Sequence, residues 1–285
     1  MMATYPIVLA HGICRFDELL AEVVKNDHRP DATQYFRLIR GTLQDAGFTA
    51  QHSSVPWAAG VSTRADKLTD EVHRILHETG ASKVHIIAHS MGGLDARHML
   101  FEHQPERMHH KVASVTTIGT PHLGTTFADW GVANSAAVLG LLDLIGIKGL
   151  NGFRDLTTAA CVAFDRQAEA FERGCGVRFA TYAGVQPRDR VFAPLQLPWH
   201  LIHVHEGDND GLVSLRSATW RPEYFQKPAI DADHLNELAW WEPADFTLLR
   251  WPLAPPQLET PAQLERRIRA LYVQIARGLA EQFPT

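Results

Sequence analysis

Ser90 lies in Val84-His85-Ile86-Ile87-Ala88-His89-Ser90-Met91-Gly92-Gly93, an apolar run that passes into a small-x-Ser-x-Gly turn. A serine on a sharp strand-to-helix turn is forced outward, where a base can reach its hydroxyl and make it a nucleophile. Small residues must flank it because the backbones on either side approach closely. Ala88 stands where such turns usually carry a glycine, a difference of one methyl group. The N–H of Met91, at the start of the following helix, points to where negative charge would collect on a carbonyl oxygen under attack. A second donor to that oxygen is expected from His11-Gly12-Ile13, directly after the first apolar run, through the N–H of Ile13.

A serine nucleophile needs an imidazole and an acid, and behind a turn of this kind both follow in chain order. Leu201-Ile202-His203-Val204-His205-Glu206-Gly207-Asp208-Asn209-Asp210-Gly211-Leu212-Val213 reads as an apolar strand ending in a turn with two aspartates. Either Asp208 or Asp210 could orient an imidazole. Asp231-Ala232-Asp233-His234-Leu235 is a polar loop bearing one histidine, and His234 is the candidate base. His200, His203 and His205 precede or belong to the strand and read as structural.

The elements that must position these residues alternate. Ile7–Ala10, Phe48–Val55, Val84–Ala88, Val112–Ile118 and Val177–Ala183 read as strands, joined by Leu201–Val204 as a further candidate. Gln34–Ala46, Thr63–Thr79 and Leu94–His103 read as helices, with Gly47 and Gly80 as stops for the first two. Leu264, Ile268, Leu271, Ile275 and Leu279 make one helical stripe near the end of the chain, with Thr260, Pro261 and Gln263 suited to its N-terminus. Apolar strands alternating with helices imply a mostly parallel sheet covered on both faces. Ala128 to about Arg173 breaks the rhythm and reads as an inserted helical cap over the sheet's edge, within a single domain spanning 1–285. Leu139, Leu142 and Ile145 would form one apolar face of that cap.

Tyr5-Pro6-Ile7-Val8-Leu9-Ala10-His11-Gly12, Ala88-His89-Ser90-Met91-Gly92-Gly93, Asn209-Asp210-Gly211-Leu212-Val213 and Asp233-His234-Leu235 resemble, in order, the motifs of the bacterial true lipases of family I. Weaker likeness lies in Gly119-Thr120-Pro121-His122-Leu123-Gly124-Thr125 and around Leu156-Thr157-Thr158, so the resemblance runs from about residue 5 to about 240. It implies an α/β-hydrolase fold with a small helical lid, and a Ser90–Asp210–His234 triad acting on acyl esters of the triacylglycerol type. It selects Asp210 over Asp208. Members of that family hold a calcium ion through an aspartate two positions after the catalytic histidine and a glutamine four further on. Asn236 and Trp240 occupy those positions here, so the chain departs from the family and no metal is expected.

Composition narrows the rest. With 27 basic and 32 acidic residues the formal net charge is −5, which gives a nucleic acid or an anionic membrane no electrostatic partner. No apolar run reaches the roughly 18–20 residues of a membrane span, leaving at most transient contact with a lipid interface. Cys14, Cys161 and Cys175 show neither disulfide nor zinc spacing. No signal peptide is visible, which suggests a cytoplasmic protein or signal-less export. His73 and His77 stand four apart on a predicted helix but lack a third ligand. No cofactor pattern stands out, and the expected substrate is a small ester or a lipid. Competing readings are an esterase for short or water-soluble esters, an acyltransferase, and a non-catalytic binder on the same fold.

Overall fold

The apolar runs form one five-stranded parallel sheet in the structure, a computed structural model that describes residues 4–13, 29–134, 151–241 and 259–284. β1 (Ile7–Ala10), β2 (Ala50–His52), β3 (Val84–His89), β4 (Val112–Ile118) and β5 (Arg178–Tyr182) lie in the order β2-β1-β3-β4-β5. Leu9 stands opposite Ile87, and Ile87 opposite Thr116. Every residue of β1, β3 and β4 is buried, as expected of strands covered on both faces.

The eight helices named here are α1 (Ile39–Asp45), α2 (Val61–Thr79), α3 (Met91–Glu102), α4 (Thr126–Ala133), α5 (Asn151–Arg154), α6 (Thr158–Gly174), α7 (Gln196–Glu206) and α8 (Pro261–Gln282). Strand side chains alternate between two cores. Ile7, Leu9, Ile87 and Ile118 pack with α1 and with the Leu264, Ile268, Ile275 and Leu279 stripe of α8. Val8, Ile86, Ala88 and Val115 pack with Leu68, Val72 and Ile75 of α2 and with Met99 and Leu100 of α3. At the start of α8 the Thr260 hydroxyl accepts from the Gln263 N–H, the Gln263 side chain accepts from the Thr260 N–H, and Pro261 takes the first helical position.

Two readings change. Leu201–Val204 is not a strand but part of α7, where Ile202 is buried while Val204 is 63% exposed. A four-residue apolar run fits a strand or one helical face equally well, and one-sided burial marks the helix. The helix read over Gln34–Ala46 begins only at Ile39, because Asp31 and Leu38 adopt positive φ (66° and 57°) and Asp31 takes the Gly41 N–H on its carboxylate. Within the span 128–173, α6 is the connection that leads from β4 towards β5. Its Asp165 and Glu172 hold the buried Arg97 of α3, each at 2.7 Å. Leu139, Leu142 and Ile145 lie outside the described residues.

Candidate active site

The sharp turn after β3 is formed as its composition requires. Ser90 sits at φ 55° and ψ −133°, between the last residue of β3 and the first of α3. Such a backbone costs about 1–3 kcal/mol for a non-glycine residue and persists only where neighbours enforce it. Here the Ser90 N–H donates to the Ile118 carbonyl (3.0 Å), and the Thr120 hydroxyl donates to the Ser90 carbonyl (2.8 Å). Space beside the serine is minimal. A Cβ on Gly12 would stand 2.7 Å from the Ser90 Cβ, and one on Gly92 would overlap the Ala10 carbonyl oxygen. Ala88 causes no crowding because it is a strand residue paired with Ala10, its methyl group buried in the core beneath α2 and α3.

Of the residues expected to supply backbone donors, Met91 follows Ser90 in the chain and Ile13 lines a cavity with it. Met91 opens α3, so its N–H is among those with no partner inside the helix. Ile13 follows Gly12 and lines the same small cavity as Ser90 and His234. That loop rests on a pair no motif announced. Arg64 of α2 donates to the His11 carbonyl (2.7 Å) and to both oxygens of Asp95 on α3, with both side chains fully buried. The His11 ring stacks on Trp57 at 3.8 Å, and burial, reinforced by Arg64, holds its pKa down to about 3. Arg64 lies on the apolar stripe between Val61, Ala65 and Leu68. A cation at such a position is a readable sign of a buried partner.

His234 and Asp210 meet. His234 Nδ1 is 2.7 Å from Asp210 Oδ2, and the His234 N–H donates to the Asp210 carbonyl (2.9 Å). The other carboxylate oxygen of Asp210 accepts from the N–H groups of Leu212 (2.8 Å) and Val213 (2.7 Å). Asp208, two residues away, is exposed, so the fold separates the two aspartates that the sequence left equivalent. His122 lies elsewhere, stacked on Trp220 at 4.5 Å and 2.9 Å from the Thr117 hydroxyl. His73 is 2.8 Å from the Lys111 ammonium, a poor neighbour for a metal ligand.

A chain of buried polar groups behind the site went unnoticed in the sequence. Glu237 Oε2 is 3.0 Å from His89 Nε2 and 3.7 Å from His234 Nδ1, and the Tyr35 hydroxyl is 2.7 Å from His89 Nδ1. Burial, with Asp210 and Asp233 nearby, pushes the Glu237 carboxyl well above its ordinary range, and burial holds His89 well below its own. A neutral Glu237 donates its proton to His89 Nε2, and the His89 Nδ1–H then faces the Tyr35 oxygen. Among the described residues His89, His234 and Glu237 are also the one trio whose donor atoms lie close enough to share a metal. Within it Glu237 Oε2 already meets His89 Nε2, and His234 Nδ1 already meets Asp210.

The residues at the family's calcium positions do not fit that ion. The Asn236 amide donates to the Trp240 carbonyl (2.9 Å), and the Trp240 indole donates to the Tyr35 carbonyl (2.9 Å). Asp233 spends its carboxylate on the N–H groups of Leu235, Asn236 and Phe192, at 2.8 to 2.9 Å. That carboxylate thus ties the His234 loop to the segment at Phe192, and it leaves no anionic oxygen turned outward for a cation.

Comparisons with known proteins concern the family and the fold. Residues 47–165 match the model of the α/β-hydrolase fold. The chain is 27% identical over 279 residues to triacylglycerol lipase 2 of Saccharomyces cerevisiae, covering 82% of this chain and 80% of that one. Among solved structures, a metagenomic carboxyl esterase superposes with a TM-score of 0.69 at 18% identity, covering 99% of this chain and 77% of that one. The mature lipase of Bacillus licheniformis gives 0.64 at 23% identity, covering 82% and 86%. Both superpositions concern the fold. A triacylglycerol lipase of Vibrio cholerae is 30% identical over 241 residues, covering 74% of this chain and 72% of that one. On that likeness the chain belongs to the bacterial lipases of the α/β-hydrolase superfamily.

Proposed function

We propose that the protein hydrolyses carboxylic esters of acyl lipids through an acyl-enzyme on Ser90. Neutral His234 takes the Ser90 proton as the hydroxyl attacks the ester carbonyl. Asp210 holds the imidazole by its Nδ1–H and stabilises the imidazolium. The N–H groups of Ile13 and Met91 receive the oxyanion, the imidazolium of His234 gives its proton to the departing alcohol as the ester C–O bond breaks, and a water activated by the neutral His234 then releases the acid. The observation that carries this reading is that His234, held at Nδ1 by Asp210, lines the same apolar cavity as Ser90. Relatives bearing the name triacylglycerol lipase support a lipid ester as the substrate. Among the described residues no helix is long and apolar enough to cross a membrane.

Replacing Ser90 with alanine tests the reading. kcat on p-nitrophenyl butyrate should fall by on the order of 10⁴–10⁶, and labelling by a fluorophosphonate should vanish. Ester hydrolysis within tenfold of the parent enzyme would overturn the assignment. Adding an alcohol and measuring transesterified product against free acid separates the hydrolase from an acyltransferase.

A further inference from the structure

The cavity that touches Ser90 and His234 holds only about 20 Å³, room for a single water and for no acyl chain. Its remaining wall is apolar apart from Thr125, whose hydroxyl is already committed to the Leu212 carbonyl and the Phe127 N–H. Among the described residues, an acyl chain that enters this cavity displaces part of its wall. Most of the wall is fixed by bonds that the site needs. Leu212 and Val213 are held by the Asp210 carboxylate, so moving them would disorganise the acid. Ile13 belongs to the loop braced by Arg64, and the Leu156 carbonyl accepts from the Thr125 N–H at 3.0 Å.

Phe153 is different. It sits on the four-residue helix α5, and its buried ring lies over Gly131 of α4, where any Cβ would overlap the ring edge. The ring meets Phe127 edge-on at 5.5 Å. Its backbone is anchored by the Leu156 N–H on the Phe153 carbonyl at 3.2 Å, while the ring itself makes only apolar contacts. The ring can change rotamer without breaking a hydrogen bond.

We propose that Phe153, seated over Gly131, is the specificity-determining stop of the acyl site and sets how long an acyl chain the enzyme accepts. The proposal rests on Ser90 being the nucleophile. Its ring occupies the volume that the chain beyond the first carbons would need, so long acyl groups carry the cost of displacing it and short ones do not. Each methylene that finds an apolar pocket is worth on the order of tenfold in kcat/KM. Shrinking the stop should therefore favour long chains over short ones rather than alter all esters alike.

The test compares kcat/KM for p-nitrophenyl octanoate and p-nitrophenyl acetate in the parent enzyme, Phe153→Leu and Phe153→Ala. The octanoate-to-acetate ratio should rise by at least about tenfold in Phe153→Ala and by less in Phe153→Leu. If Phe153→Ala does not fold, the leucine variant alone decides. An unchanged ratio in a variant that melts cooperatively overturns the proposal, as does a fall in the ratio. Ser90→Ala run alongside keeps the two readings apart. Activity surviving in Ser90→Ala discards the nucleophile, whereas an inactive Ser90→Ala with an unmoved ratio discards only the stop.

Discussion

Glu237 Oε2 stands 3.7 Å from His234 Nδ1, the same nitrogen that Asp210 holds at 2.7 Å. Two buried carboxyl groups facing one imidazole nitrogen cannot both be ionised without strong repulsion. The Asp210 carboxylate also collects two backbone N–H bonds, whereas burial beside Asp210 and Asp233 pushes the Glu237 carboxyl well above its ordinary range, so that it donates a hydrogen bond to His89. The site therefore contains one negative charge in contact with His234, supported by a neutral acid.

Glu237→Gln should retain most of the kcat and the shape of the pH profile, because an amide N–H replaces the carboxyl proton towards His89. Glu237→Leu should lose about 1–3 kcal/mol of stability by leaving a buried nitrogen unsatisfied. Steady-state rates across pH, together with denaturant melts, check both. A Gln variant as damaged as Asp210→Asn would mean that Glu237 works as an anion.

Asp210→Asn should lower kcat by on the order of 10²–10⁴, since the imidazole loses its orienting anion. Asp208→Asn, on an exposed side chain, should leave kcat nearly unchanged. The two rates, measured on one ester, check the assignment. The opposite order would move the acid to Asp208.

Activity and melting temperature should not change after dialysis against EGTA. The His234 loop is held instead by the Asp233 carboxylate on three backbone N–H groups and by the Trp240 indole on the Tyr35 carbonyl. A large loss restored by calcium and not by magnesium would reveal oxygen ligands elsewhere.

His85, buried in β3 with its Nδ1 at 2.8 Å from the Ser114 hydroxyl, has its pKa lowered by burial to about 4 from 6.5. The unfolded chain then binds a proton between these values that the folded chain refuses, so stability falls as pH drops from about 6.5 towards 4. His85→Gln removes that proton. The melting temperature of the parent relative to the variant should decline over this window and stay level above it. A flat difference would show that His85 is protonated in the fold.

The sequence by itself determined the central strands of the sheet and the serine turn. Ile7–Ala10, Val84–His89 and Val112–Ile118 are apolar throughout, and only burial on both faces makes such runs stable strands. The Ser90 turn was legible because its small neighbours answer a local steric demand. Tertiary structure decided what depends on distance in space. Asp208 and Asp210 share one turn and one chemistry, and only the arrival of His234, 24 residues later, distinguishes them. Leu201–Val204 carries a pattern that suits strand or helix until one face is covered by α4. Glu237, Tyr35 and the Arg64–Asp95 brace belong to no motif, since their partners come from remote segments. Their burial is tolerable only because each meets a complementary group, and that condition is written in the packing rather than along the chain.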